Sequence, residues 1–354
     1  MLIPFVLKRK VLSIDIGAHT IKVVEGSSNQ QGIKINNYFT IRTPANSIVD
    51  GIIMDKDLLH YILSEELSKG KTKAKNVILT INSSKIITRE IQIPKVKYDV
   101  IDKLLKFQIE DYLPVKIDDY VVQFKIIDQY YVDEVGKMKI LVIAMPKGLI
   151  DDYYELIINL RLNPLVLDYQ PNSISKLLKS NNIVNDSFPL NNLTLASIDI
   201  GHDTTKISII KDGKILVTKI IDIGGNYIEK RISSLDNPKN NLADFNAYIR
   251  HINSIYTDDS EESDLLRMIK SIISSITEKI EVVFRYYLTR DTKNKIDMIL
   301  LSGGMANING LDKLFSNVFN IPTVTIESLD NVNFQGPIID YANAIGSMLR
   351  TAEV

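Results

Sequence analysis

Apolar and polar positions alternate along residues 11–17, VLSIDIG, stop at a polar turn, AHT, and resume in IKVVEG. A period of two broken by a short polar turn predicts a β-hairpin. The same rhythm returns at residues 195–201, LASIDIG, followed by HDT and TKISII. Aligned from Ser13 and Ser197, SIDIGAHTIK and SIDIGHDTTK agree at seven of ten positions. A further strand pattern follows each copy, GIKINNYFTI after the first and GKILVTKIIDIGG after the second. Repetition on this scale predicts two related α/β domains and not one repeated loop.

Between the copies, residues 86–168 predict a compact insert of βαββαβ order. IITREIQIP alternates as a strand, and YDVIDKLLKFQIEDYL places Ile101, Leu104, Leu105, Ile109 and Tyr112 on one helical face until Pro114 stops it. Two strands follow, DYVVQFKII and MKILVIAM. A second amphipathic helix, LIDDYYELIINLRL, carries Leu149, Tyr153, Leu156, Ile157 and Leu160 on one side, and LVLD closes the segment as a short strand. Residues 233–264, with the acidic run TDDSEESD, and KGKTKAKN at 69–76 are expected to be solvated loops. A long helix, LLRMIKSIISSITEKIEVVFRYYL, then leads to the strand KIDMILL, to SGGMANINGL, to another helix, and finally to YANAIGSMLR.

Composition narrows the classes. The 354 residues are 45% hydrophobic and 24% charged, as expected of a globular protein with two or more domains. Basic and acidic side chains, 42 against 43, nearly cancel, so no field of positive charge is available to hold a nucleic-acid backbone. With no cysteine, disulfides, thiolate zinc sites and cysteine nucleophiles are excluded, and a reducing cytoplasm fits. No stretch approaches the roughly 20 apolar residues of a membrane span. In MLIPFVLKRK the apolar run precedes the basic residues, the reverse of a secretory signal, so Lys8, Arg9 and Lys10 read as a solvated lead-in to the first strand.

The duplicated hairpin suits a nucleotide's phosphates. Gly17 and Gly201 let backbone approach an anion, and turn N–H groups can point at its oxygens. Asp15 and Asp199, at the strand ends, would hold Mg²⁺ mostly through water, because this ion retains several of its own waters. A single Asp-x-Gly hairpin is also an ordinary turn; two copies in register, each backed by Thr-x-Lys, favour one triphosphate clasped between them. LLSGGMANINGL, a strand, a double glycine and a helix, lets a flat purine lie against bare backbone.

In order along the chain, DIGAHTIK, DIGHDTTK, IGGN, LLSGGMANINGL and AIGSMLR resemble the phosphate-1, phosphate-2, adenosine and second connecting motifs of the actin, heat-shock-chaperone and hexokinase superfamily. The insert resembles subdomain IC of the FtsA and PilM branch. LLKFQIEDYLPVKIDDYVVQFKII, ILVIAMPKGLIDDYYELIINLRLNPLVLDYQP and FNIPTVTIESLDNV are most similar to the PilM family, actin-like proteins of type IV pilus assembly. The resemblance implies an α/β, actin-like ATPase fold of two lobes with a duplicated core. Its first lobe would comprise 1–85, 169–195 and 335–354, its inserted subdomain IC 86–168, and its second lobe 196–334, with subdomain IIB at about 226–295.

For chemistry the resemblance implies an ATP and Mg²⁺ cleft, with Asp15, Gly17, His19, Thr20 and Lys22 on one hairpin and Asp199, Gly201, Thr204 and Lys206 on the other. Gly225, Gly303, Gly304 and Met305 would frame the nucleoside. Gln170 matches a polar residue that orients water near the γ-phosphate, and reads equally as a turn residue where a helix begins. The chain departs from the family in two places. Ala18 and His19 stand where serines are usual, and His202 lies similarly in the second hairpin; a protonated pair would favour an anion, and variable turn residues are the plainer reading. Aligned on Ile280 and YYL, Lys279 and Val282 replace the Glu and Arg that grip the ribose, so ATP binding is expected and hydrolysis slow or absent.

As to partners, the resemblance implies an adaptor that binds the cytoplasmic N-terminal tail of a PilN-type inner-membrane protein, in the groove between first lobe and insert. A pilus motor ATPase is a further partner it allows, as is a homo-oligomer. The membrane is expected to be reached only through the partner. Two alternatives remain open here: an FtsA-like division filament, which would be expected to carry a C-terminal amphipathic membrane helix, and a small-molecule kinase of the same superfamily.

Overall fold

The structure, a computed structural model, describes residues 10–29, 32–113, 116–233, 255 and 264–349. Lys8, Arg9, Pro114, most of the polar stretch 233–264 and the terminal RTAEV lie outside these residues. β1 (Val11–Ile16) is buried at every position, as befits a strand covered on both faces, whereas β3 (Gly32–Arg42) alternates like a strand near an edge. Between them runs β2 (Thr20–Asn29), antiparallel to both. A two-strand ribbon, β4 (Ile48–Val49) and β5 (Ile52–Ile53), leads to α1 (Lys56–Lys69). This helix starts where the Asp55 carboxylate accepts the Leu58 N–H at 2.9 Å, and it buries Leu59, Leu63 and Leu67 on one face. β6 (Asn76–Ile81) then pairs in parallel with β1.

The segment expected as one insert divides. β7 (Ile87–Pro94), α2 (Tyr98–Tyr112), β8 (Tyr120–Val132) and β9 (Val135–Pro146) make a three-stranded sheet of order β7-β9-β8. Its own core is built from Ile91, Ile93, Ile101, Leu105, Ile109, Met138, Ile140 and Val142. The second helix and last strand do not belong to it. α3 (Lys147–Asn159) buries Leu149, Tyr153, Leu156 and Ile157 in the core of the first lobe, and β10 (Asn163–Tyr169) pairs in parallel with β6. Residues 147–168 are thus corrected to the first lobe. The duplicated core needs them, since it has five strands in each copy.

That duplication is visible in the strand order. α4 (Gln170–Lys179) and a short ribbon, β11 (Ile183–Val184) with β12 (Phe188–Pro189), precede β13 (Thr194–Ile200), β14 (Thr205–Lys211) and β15 (Lys214–Ile221). After α5 (Asn226–Ser233) and the long α6 (Asp264–Leu288) come β16 (Met298–Ser302), α7 (Leu311–Phe319), β17 (Thr323–Thr325), β18 (Val332–Asn333) and α8 (Ile338–Ser347). The first sheet runs β10-β6-β1-β2-β3-β18 and the second β15-β14-β13-β16-β17. Taken from β3 to β10 and from β15 to β17, both show two antiparallel pairings followed by two parallel ones.

Two helices, α4 and α8, pack on each other, and each touches strands of both sheets. The start of α4 is anchored by a buried ion pair. Lys176 Nζ lies 2.6 Å from Asp168 Oδ2, and the same carboxylate accepts hydrogen bonds from Asn172 Nδ2 at 2.7 Å and Ser173 Oγ at 3.1 Å. No helix among the described residues is long and apolar enough to cross a membrane.

Candidate functional site between the duplicated hairpins

The two Asp-x-Gly turns are built alike. Gly17 N–H donates to Thr20 O at 3.2 Å, and Gly201 N–H donates to Thr204 O at 3.0 Å. A Cβ would stand 2.8 Å from that carbonyl at Gly17, too close to fit without a shift, and 3.0 Å from it at Gly201, a tight contact. Strand pairing then sets the chemistry. Asp15 sits opposite Lys22 across β1 and β2, and Asp199 sits opposite Lys206 across β13 and β14. Both hairpins open onto one cleft of about 780 Å³, whose wall includes Asp15, Lys22, Gln170, Asp199 and Lys206.

The carboxylates are equivalent in position, but their surroundings shift them in opposite directions. Asp15 is buried, and burial pushes its pKa up against the opposing pull of Lys22, the Gln170 amide and Lys206. Burial also acts upward on Asp199. There, however, Lys206, with Nζ 3.5 Å from Oδ2, Lys22, and the Asn343 amide at 3.0 Å together hold the carboxyl below the usual range. Gly303, at φ +90°, brings its backbone against Asp199; a Cβ there would come within 2.3 Å of Oδ1.

Histidines join the hairpins. The His19 and His202 rings stack at 4.0 Å between centroids and 18° between planes. Burial and the charges of His202 and Arg42 push the His19 pKa down to about 4, so it is neutral. Burial lowers His202 as well, yet its hydrogen bonds to Asp203 at 2.7 Å and Glu229 at 2.6 Å raise it overall. The stack therefore sets a neutral ring against a more basic one.

Most residues expected from sequence converge here. Asp15, Gly17, His19, Thr20, Lys22, Gln170, Asp199, Gly201, Thr204, Lys206, Gly303, Gly304 and Met305 all line the cleft. Three others do not line it. Gly225 lies behind the second hairpin, donating its N–H to Gly201 O at 3.0 Å. Lys279 and Val282 sit on the outer side of α6, where Val282 is 63% exposed while Ile276, Ile280 and Phe284 face the core. Both side chains are exposed, and neither is among the residues that line the cleft. The cleft also has a wall that sequence reasoning missed: Asp50, whose carboxylate accepts the Ser84 N–H at 2.8 Å, together with Asn82. No local motif marks them, because ribbon and strand end meet only after β6 joins the sheet. Asn343, which donates to Asp199, comes from the motif YANAIGSMLR and so carries a signal in the sequence.

Comparison with known proteins agrees with this architecture. The solved PilM-PilN type IV pilus biogenesis complex is similar over 96% of this chain and 98% of that one, with a TM-score of 0.76 and 18% identity. The ethanolamine utilization protein EutJ from Carboxydothermus hydrogenoformans is similar over 96% of this chain and 89% of that one, with a TM-score of 0.52 and 14% identity. MreB5 of Spiroplasma citri bound to AMPPNP is similar over 96% and 95%, with a TM-score of 0.50 and 14% identity. The fold is the actin-like ATPase fold. A family model described as "Type IV pilus assembly protein PilM" matches residues 13–344, nearly the whole chain and both hairpins. The chain belongs to the PilM family of type IV pilus assembly proteins.

Proposed function

We propose that this chain is an ATP- and Mg²⁺-binding adaptor of type IV pilus assembly that holds the N-terminal cytoplasmic tail of a PilN-type inner-membrane protein. The observation that carries the nucleotide part is the pair of Asp–Lys couples, Asp15 with Lys22 and Asp199 with Lys206, set on equivalent hairpins that open onto one cleft. The donor set fits the ligand. Two carboxylates suit a hard cation, two ammonium groups suit phosphates, and Gln170 Oε1 is a buried acceptor with no partner among the described residues. Mg²⁺, when bound, neutralises phosphate charge between the hairpins.

Asp15 and Asp199 would hold the ion through its waters, Lys22, Lys206, Thr20 and Thr204 the phosphates, and Gly303, Gly304 and Met305 the nucleoside. Gln170 would orient a water. Lys279 and Val282 stand where the family carries the Glu and Arg that grip the ribose, which supports binding over rapid turnover. Nucleotide then acts as a ligand that closes the lobes and stabilises one arrangement.

The partner reading is supported by family membership and by the fold shared with the PilM-PilN complex. It is further supported by the inserted sheet, in which β7 pairs only with β9 among the described residues. An extended peptide beside the insert would gain backbone hydrogen bonds and bury a few aliphatic anchors. Location at the inner face of the membrane would follow from the partner. Mixing the chain with the N-terminal tail of the PilN-type protein should give a 1:1 complex. A chain that ignores the peptide and instead forms filaments on adding ATP contradicts the adaptor reading.

A further inference from the structure

We infer that His19, His202 and Glu229 form a transition-metal site of the two-histidine, one-carboxylate kind, taking Zn²⁺ and tying the two hairpins together at the lip of the cleft. One donor atom from each of the three lies within 4.8 Å of the others, and no other group of three such residues meets this condition among those described. Imidazole and carboxylate are the donors zinc takes in sites with three protein ligands and one open position. No cysteine is needed.

The surroundings are those of a ligand set and not of a chance cluster. His202 Nδ1 is engaged by Asp203 Oδ1 at 2.7 Å, and Asp203 in turn accepts from Asn226 Nδ2 at 3.1 Å. This carboxylate–histidine arrangement fixes the ring and directs Nε2 at Glu229 Oε2, 2.6 Å away. His19 Nε2 is shut off from solvent and has no hydrogen-bond partner among the described residues. A purely hydrogen-bonded cluster leaves that nitrogen unused, whereas a metal uses it.

Geometry adds a consequence for motion. Zinc bonds of roughly 2.0–2.1 Å in a tetrahedron set donors about 3.3 Å apart. His202 Nε2 and Glu229 Oε2, 2.6 Å apart, must therefore separate a little to admit the ion, and the rings must open from their 18° stack so that both imidazole lone pairs converge on it. His19 belongs to the first lobe and His202 and Glu229 to the second, so metal binding draws the lobes together. The fourth position is left for water or for a phosphate oxygen. The site shares the cleft with the proposed nucleotide, since His19 and His202 both line it, but it is testable without ATP.

The test uses the full chain without a histidine tag, stripped with chelator. Titration with Co²⁺ is followed by visible absorption, and Zn²⁺ affinity is measured by competition against the Co²⁺ signal. The expected result is one ion per chain, a tetrahedral Co²⁺ spectrum, and a Zn²⁺ Kd of about 1 µM or tighter. His19→Ala and Glu229→Gln should each weaken binding by about tenfold or more. His60→Ala, on α1 and away from the cleft, should change nothing. Absence of binding by the wild-type chain overturns the proposal, as does binding that survives both His19→Ala and Glu229→Gln. If His19→Ala fails to fold, Glu229→Gln decides alone.

Discussion

Gln170 donates its side-chain amide to Asp15 Oδ1 at 2.8 Å, while the Oε1 end of the same amide is buried with no partner among the described residues. One end of the residue thus holds a carboxylate in place, and the other is an acceptor kept for something that enters the cleft. Gln170 is also the first residue of α4, so the helix that links the lobes begins at the site.

Asp15 is expected to cost the protein stability. Its folded pKa is raised, so its contribution is most favourable below the unfolded value of 3.8 and is lost as pH rises through the folded pKa. At pH 7 the buried carboxylate is therefore a liability. Asp15→Asn should raise the melting temperature of the nucleotide-free chain by about 2 °C, because it removes a buried charge. Thermal unfolding at pH 7 checks this; a clear fall in melting temperature contradicts it.

His19 has the opposite pH signature. Its pKa is lowered from 6.5 to about 4, so its contribution is present above pH 6.5 and is lost as pH falls towards 4. Burial is the main cause, with His202 and Arg42 adding to it and Glu229 and Asp203 opposing. His202, whose pKa is raised, contributes stability below 6.5 that is lost as pH rises through its folded value. His19→Phe keeps a stacking ring and removes the acid-side loss. Melting temperature measured from pH 7 to 4 should then fall less steeply than in the wild type, and an equal slope would contradict the assignment.

Lys176 should matter for stability and little for ligand affinity. It is 7% exposed and pairs with the buried Asp168. Lys176→Ala leaves that carboxylate with its Asn172 and Ser173 bonds but without a cation, a loss of about 3 kcal/mol by analogy with other buried pairs. Denaturant titration should show the loss, with nucleotide affinity little changed in the folded fraction. A loss below about 1 kcal/mol would mean that water reaches the pair.

The boundary of the insert yields a two-sided test. Replacing residues 86–146 by a short Gly-Ser linker removes the three-stranded sheet and its core and leaves β10 beside β6. The product should fold, bind nucleotide, and lose the PilN-type peptide. Replacing 86–168 also removes α3 and β10 and should leave an unfolded or aggregated chain. Circular dichroism and peptide binding distinguish the two; equal folding of both products would contradict the division.

What could be read from the chain follows from where its information lies. The hairpins are local: an Asp, a Gly and a Lys within eight residues put Asp15 opposite Lys22, and a second copy with the same spacing sets Asp199 opposite Lys206. The order of elements in 86–168 was legible for the same reason. Assigning α3 and β10 to a lobe was not, because β10 joins β6 across more than 80 residues of chain and no local pattern records a parallel pairing. Lys279 and Val282 are a different case. The apolar face at Ile269, Ile273, Ile276 and Ile280 packs into the core and leaves those two side chains exposed, so a role at the nucleoside rests on family register and not on the helix's own periodicity. The walls formed by Asp50, Asn82 and Ser84 come from segments with no chemistry-bearing motif.

The most direct measurement of the central claim is calorimetric titration of the chain with ATP, with and without Mg²⁺, alongside Asp15→Asn and Asp199→Asn. If the twin hairpins clasp one Mg²⁺–triphosphate, the wild type should bind one ATP with Mg²⁺-dependent affinity. Each variant should lose that dependence, with affinity in Mg²⁺ lower by about tenfold or more. ATP binding that is the same in all three proteins, or indifferent to Mg²⁺ in the wild type, would contradict the account.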